Sequence, residues 1–110
     1  MEDTDGSSGM LTHWIVYDMP VSMILLPKRM AEAAKIPGGI MQGTNAFGLT
    51  GYSGPCPPAG ETHQYIFTIY ALDAKLDIAP AVDILRLKKV MEPRILEQAS
   101  TTVMYMLPAQ

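Results

Sequence analysis

The sequence predicts a mainly β protein with one amphipathic helix, and three observations carry that prediction. Residues 10–19, "MLTHWIVYDM", and 63–72, "HQYIFTIYAL", are dense in aromatic and β-branched residues, the types that favour strands. Residues 80–91, "PAVDILRLKKVM", read as a helix with Pro80 near its start, Asp83 in the first turn and Lys88 and Lys89 in the last. From Pro37 to Gly60 the chain holds too many glycines and prolines for a helix or a central strand.

Taken in order, residues 1–9 are polar and small and read as a loop. In the strand at 10–19, Leu11, His13, Ile15 and Tyr17 share one face; Thr12, Trp14 and Val16 share the other. Both faces are largely apolar, so this is expected to be an inner strand covered on both sides. Within 20–37, "PKRMAEAAKIP" fits a short helix or a surface excursion. The segment 37–60 reads as one ordered loop, because Phe47, Leu49 and Tyr52 within it call for burial. In the strand at 63–72, His63, Tyr65, Phe67 and Ile69 share a face. Pro93 stops the helix, and "RILEQASTTVMYML" reads as a final strand. Three strands and a helix make a thin core beneath so long a loop.

A chain of 110 residues is one domain, 1–110, and 48% hydrophobic with 17% charged residues sets it among globular rather than disordered proteins. The net charge is −3 and the Lys and Arg residues are scattered, which argues against a nucleic-acid surface. Cys56 is the only cysteine, so no internal disulfide ties the chain to an oxidising compartment. The start, "MEDTDGSSGM", is acidic and unlike a secretory signal, and "WIVYDMPVSMILLP" is broken by Asp18 and Pro20. A cytoplasmic location without stable membrane anchoring is expected. The methionines are dispersed without Cys or His beside them, which suits an adaptable core better than metal ligation.

The chemistry concentrates at two histidines, each near the end of a predicted strand. His13 follows the acidic segment with Asp3 and Asp5; His63 follows "GPCPPAGET", a stiff loop around Cys56, Pro57 and Pro58. Imidazoles near carboxylates stay partly protonated and donate to phosphate, sulfate or carboxylate. Loop N–H groups and the Tyr65 hydroxyl can add donors, and prolines lower the ordering cost of binding. The structural alternative is two satisfied, half-buried core histidines. Enzyme readings are weaker. There is no metal-ligand spacing, and Cys56 lies between prolines with no helix N-terminus or cation to activate it toward His63. No cofactor motif is present in the sequence, and "GGIMQG" does not open a helix after a strand.

The segments "MEDTDGSSGMLTHWIVYDMP", "QGTNAFGLTGYSGPCPPAGETHQYIFTIYALD" and "MEPRILEQASTTVMY" resemble the phosphatidylethanolamine-binding protein family, in its bacterial and archaeal, Raf kinase inhibitor-like branch. The resemblance implies an antiparallel β fold with a large central sheet, a smaller sheet and one or two peripheral helices. It also implies a small cavity for phosphate-like anions, built here from Asp3, Asp5, His13, Cys56, Pro57, Pro58, His63 and Tyr65.

Three departures from the family pattern stand out. Thr4 and Ser7 occupy positions where the family's acidic loop has prolines, which predicts a more mobile wall. Gln64 follows the second histidine where the family often has arginine. Members also carry several strands ahead of the acidic loop that have no counterpart here, so exposed sheet edges and homo-oligomers are expected.

The function so implied is a non-enzymatic, regulatory binding module for a small phosphorylated or otherwise anionic ligand. The alternative is an inhibitor of a kinase or serine protease acting through the surface around the cavity. A hydrolase using His13, His63 and a water is the third reading.

Overall fold

The computed structural model describes residues 1–6, 9–20, 22, 33–36, 39–76 and 78–107. They form two antiparallel sheets and one short α-helix. The strands are β1 (Glu2–Gly6), β2 (Gly9–Thr12), β3 (Val16–Tyr17), β4 (Lys35–Ile36), β5 (Ile40–Gln42), β6 (Thr62–Leu72) and β7 (Ile95–Met106), with α1 (Ile84–Met91) between the last two. The larger sheet has the order β2-β1-β6-β7 and the smaller β3-β5-β4. A mainly β fold with a large and a small sheet is therefore what the chain forms.

The long strands fall where the sequence places them. β6 pairs with β7 from Thr62 opposite Met106 to Leu72 opposite Ile95, with one register shift at Ala71–Leu72. The helix starts later than its sequence suggests. Asp83 is its N-cap, with extended backbone and a carboxylate that accepts the Arg86 N–H at 2.8 Å. Its C-terminus passes directly into a 3₁₀ turn, Glu92–Arg94, with Pro93 inside it. Pro80 therefore precedes the helix rather than opening it.

The N-terminal third differs from its sequence reading in two ways. Residues 2–6 form a strand, β1, not a loop. They are held between β2 and β6, with Asp3 opposite both Leu11 and Tyr65. The run at 10–19 is not one inner strand. β2 is an outer strand of the larger sheet, with Met10 exposed, and the chain leaves it at Thr12 to enter the smaller sheet at Val16. The intervening residues are bound elsewhere: Gly43 N–H donates to Ile15 O at 3.0 Å, and Ser53 N–H to His13 O at 3.1 Å. These loop partners compete for the same backbone groups that a continuous strand would use.

The Gly/Pro segment also contains β5, so it is not all loop. The short helix or surface excursion considered for 20–37 lies mostly outside the described residues; within that stretch, Lys35–Ile36 is strand β4.

The core lies between α1 and the smaller sheet. Ile15, Tyr17, Leu76 and Leu87 form a buried cluster, with Met41, Leu72, Ile78, Val82, Ile84 and Val90 packed on it. Gly43 is required where two segments cross. A Cβ there would lie 2.5 Å from Val82 O and 3.0 Å from the Ile15 Cβ. The larger sheet buries little beyond Asp3, Thr12, His63 and Tyr65, which are concentrated at the end that meets the Gly/Pro loop.

Candidate ligand-binding site

At that end lies a cleft of about 720 Å³. β1 contributes Asp3 and Asp5, which both line the cleft although the pairing of β1 with β2 shifts register after Asp3. His13 enters from the break between β2 and β3, and His63 is the second residue of β6. Cys56, Pro57 and Pro58 form part of the facing wall. Seven of the eight residues singled out from the sequence thus line one concavity. Tyr65 does not line it; its ring is buried behind, 1% exposed.

Hydrogen bonds fix both imidazoles. His63 Nδ1 donates to Asp3 Oδ2 at 2.8 Å, and the other carboxylate oxygen accepts the Asp5 N–H at 2.8 Å. His13 Nδ1 donates to Ser53 O at 2.9 Å, because a carbonyl oxygen only accepts. Each ring therefore carries its Nδ1 proton and leaves Nε2 for other contacts. Nε2 of His63 is 3.7 Å from Glu61 Oε2. The rings are packed as well. His13 stands edge-on to Phe47 (5.0 Å) and to Tyr65 (5.4 Å), and Tyr65 stacks on His63 at 6.5 Å.

The electrostatics follow from this arrangement. The bond to Asp3 raises the His63 pKa above its ordinary 6.5; burial opposes the rise, and the charges of Asp3, Glu61 and Asp5 add to it. Burial alone would raise Asp3. Its hydrogen bonds from His63 and the Asp5 N–H, with the nearby imidazole charges, outweigh burial and hold it below 3.8. Burial first, then the negative charge of Asp3, push the Tyr65 hydroxyl up to about 12. That hydroxyl makes no hydrogen bond of good geometry, although the Asp3 carboxylate and the Cys56 backbone lie beside it.

Asp5 is less available than its position on the wall suggests, since Oδ2 accepts the Gln64 N–H at 2.8 Å. The opposite wall is shaped by buried Asn45. Its Oδ1 accepts the N–H groups of Phe47 and Leu49, and its Nδ2 donates to Gly51 O and Ser53 Oγ. This side chain ties the loop on which Ser53 holds His13.

The expected burial of Phe47, Leu49 and Tyr52 does not occur. They are 51%, 59% and 48% exposed, because the loop turns around Asn45 rather than around an apolar centre. Phe47 instead lines the cleft, as do Ser53 and Glu61, none of which sequence reasoning placed in the site. Glu61, two residues before His63, was the one with a visible signal. Among the described residues no group of three or more His, Cys, Asp or Glu side chains is arranged to hold a metal ion.

Antiparallel sheets of unequal size, with a histidine–carboxylate cleft at the loop-covered end of the larger one, describe a class of β-rich ligand-binding folds. The chain belongs to the phosphatidylethanolamine-binding protein family, whose sequence model matches residues 1–106. It is 36% identical to a UPF0098 protein of Methanothermobacter thermautotrophicus over 94% of this chain and 68% of that one. With a UPF0098 protein of Pyrococcus horikoshii it shares 35% identity over 96% of this chain and 54% of the relative. The crystal structure of Escherichia coli YbcL, described as a new member of the mammalian PEBP family, superposes with a TM-score of 0.83 at 27% identity. That match covers 96% of this chain and 68% of YbcL. A PEBP homologue of Chlamydia trachomatis gives a TM-score of 0.72 at 36% identity, covering 94% and 67%. The chain thus spans roughly half to two thirds of the relatives' length. No described helix is long and apolar enough to cross a membrane.

Proposed function

We propose that this chain binds a small phosphorylated or otherwise anionic ligand in the cleft and acts by binding, without turnover. The observation that carries the reading is the His63–Asp3 pair. A buried carboxylate raises the imidazole's pKa and so favours its cation in the wall of a cleft, where Nε2, 3.7 Å from Glu61 Oε2, can donate.

Among the described residues the wall also bears Asp5 and Glu61 and is lined by no Lys or Arg. A bare dianion meets repulsion there that a phosphorylated amine relieves through its ammonium group. This favours a headgroup such as O-phosphorylethanolamine over inorganic phosphate, in keeping with the family's name.

Regulation of a protein partner, such as a kinase or serine protease, is a compatible second reading. The exposed Phe47, Leu49 and Tyr52 at or near the cleft's rim offer a surface whose shape occupancy could change. We place the protein in the cytoplasm, on the exposed free thiol of Cys56, which a reducing compartment preserves.

The test is NMR of the His13 and His63 ring signals during titration with inorganic phosphate and with O-phosphorylethanolamine. Saturable shifts in the His63 ring are expected, at lower concentration for the phosphorylated amine. A folded protein with no shift from either compound would overturn the reading.

A further inference from the structure

Among the described residues the cleft is lined by the carboxylates of Asp3, Asp5 and Glu61, and two of these are already engaged. Asp3 accepts from His63 Nδ1 and from the Asp5 N–H, each at 2.8 Å. Asp5 accepts the Gln64 N–H at 2.8 Å. Glu61 differs. Its Oε2 lies 3.7 Å from His63 Nε2, an ion pair too long for a hydrogen bond.

The backbone beneath Glu61 is fixed. Pro58–Glu61 is a β-turn closed by the Glu61 N–H on Pro58 O at 3.0 Å, with Gly60 in its third position at φ +83°. A type II turn demands that backbone of its third residue, and glycine adopts it without strain. β6 starts at the next residue, Thr62, and His63 follows. The Glu61 carboxylate is therefore delivered to His63 by a rigid turn but held there by one long ion pair.

The consequence is competition at a single donor. With Nδ1 committed to Asp3, Nε2 is the N–H that cationic His63 has left to offer. A ligand phosphate that takes Nε2 comes to stand beside Glu61, where like charges repel. An ammonium two carbons from that phosphate changes the sign of the encounter. The carboxylate that gives up the imidazole gains a new counter-charge.

We infer, on the anion-binding reading above, that Glu61 sets the selectivity of the cleft: it is a tethered anion beside His63 Nε2 that a ligand phosphate displaces, and it then receives the ligand's ammonium. The ligand class so defined is the phosphorylated primary amine, as a soluble monoester or as the headgroup of a phospholipid.

The experiment is calorimetric titration of the parent and Glu61→Gln with three compounds. These are O-phosphorylethanolamine, ethyl phosphate (the same monoester without the amine) and glycerophosphorylethanolamine (the diester headgroup). The parent should prefer O-phosphorylethanolamine to ethyl phosphate. In Glu61→Gln ethyl phosphate should bind more tightly and O-phosphorylethanolamine should not, so the preference falls about threefold or more. The diester should follow the aminated monoester, and whichever of those two the parent binds more tightly identifies the source. In the free protein the His63 ring should titrate at lower pH in Glu61→Gln, with Asp3 and Asp5 still facing it. Thermal melting checks that the variant is folded.

A parent that binds the phosphates with a preference untouched by Glu61→Gln overturns the inference and leaves the anion-binding reading standing. Equal tightening of all three compounds does the same, because Glu61 would then repel without receiving the amine. An unchanged His63 titration in the variant also overturns it, since the two side chains would not be in contact. A parent that binds none of the three overturns the anion-binding reading, and the role of Glu61 with it.

Discussion

Nδ1 of His63 lies 2.8 Å from Oδ2 of Asp3, and this one contact moves the two pKa values in opposite directions. The raised His63 value means that folding favours the cation. That stabilisation is fully present below the ordinary 6.5 and is lost as pH rises through the raised value. The lowered Asp3 value means that folding favours the carboxylate. Its contribution is present above 3.8 and is lost as pH falls through the lowered value. Thermal stability should therefore be highest between these limits and decline on both sides. In Asp3→Asn both declines should weaken, and the His63 ring should titrate at lower pH by NMR. An unchanged profile in that variant would show that the pair does not set the pH response.

Ligand affinity should fall as pH rises through the His63 titration, because the neutral ring loses its charge-assisted donor. Calorimetric titration with O-phosphorylethanolamine at a series of pH values reads this directly. Losing a hydrogen bond to a charged group costs about 1.5–3 kcal/mol, so His63→Ala should weaken binding by about tenfold or more. An affinity flat across the range would exclude an imidazolium as the holder.

Tyr65→Phe should leave stability close to that of the parent. It removes a buried hydroxyl that makes no hydrogen bond of good geometry, although the Asp3 carboxylate and the Cys56 backbone lie beside it. Urea melts of the two proteins read this directly. A variant clearly destabilised would mean that the hydroxyl holds a protein or water partner.

Asn45→Ala should cost about 2–4 kcal/mol in urea unfolding, since the side chain satisfies four groups from a 5%-exposed position. The same change should broaden the His13 ring signal by loosening the Ser53 carbonyl that orients it. A loss below about 0.5 kcal/mol would show that the loop holds itself.

Gly43→Ala should destabilise by about 1–3 kcal/mol through overpacking, because the added methyl meets the Val82 carbonyl and Ile15. Neither obstacle is the free end of a flexible side chain. A variant as stable as the parent would show that the crossing of these segments is looser than 2.5 Å implies.

What was legible in the sequence was whatever a single element decides for itself. β6 and β7 carry enough aromatic and β-branched residues to be read locally, and α1 shows its cap and terminal charges. β1 was hidden because the strand carries the cleft's carboxylates, and Asp, Glu and Gly are poor advertisements for a strand. The break at His13–Ile15 was hidden for the converse reason. Its residues are good strand formers, but their backbone groups are claimed by Gly43 and Ser53, far along the chain. The pairing of Asp3 with His63 spans sixty residues, which no spacing rule reaches. The family resemblance supplied the residue set, not that bond. Glu61, Phe47 and Ser53 went unplaced because loop geometry alone brings them to the cleft.

The passage of the chain from the larger sheet to the smaller one has a mechanical consequence. Asp3 and His63 belong to the first sheet, whereas His13 sits on the short span between the two. Two residues further on, Ile15 belongs to the same buried cluster as Leu87 of α1. A molecule held by both imidazoles would therefore bridge the seam between the two sheets, two residues from the Ile15 side chain packed against α1.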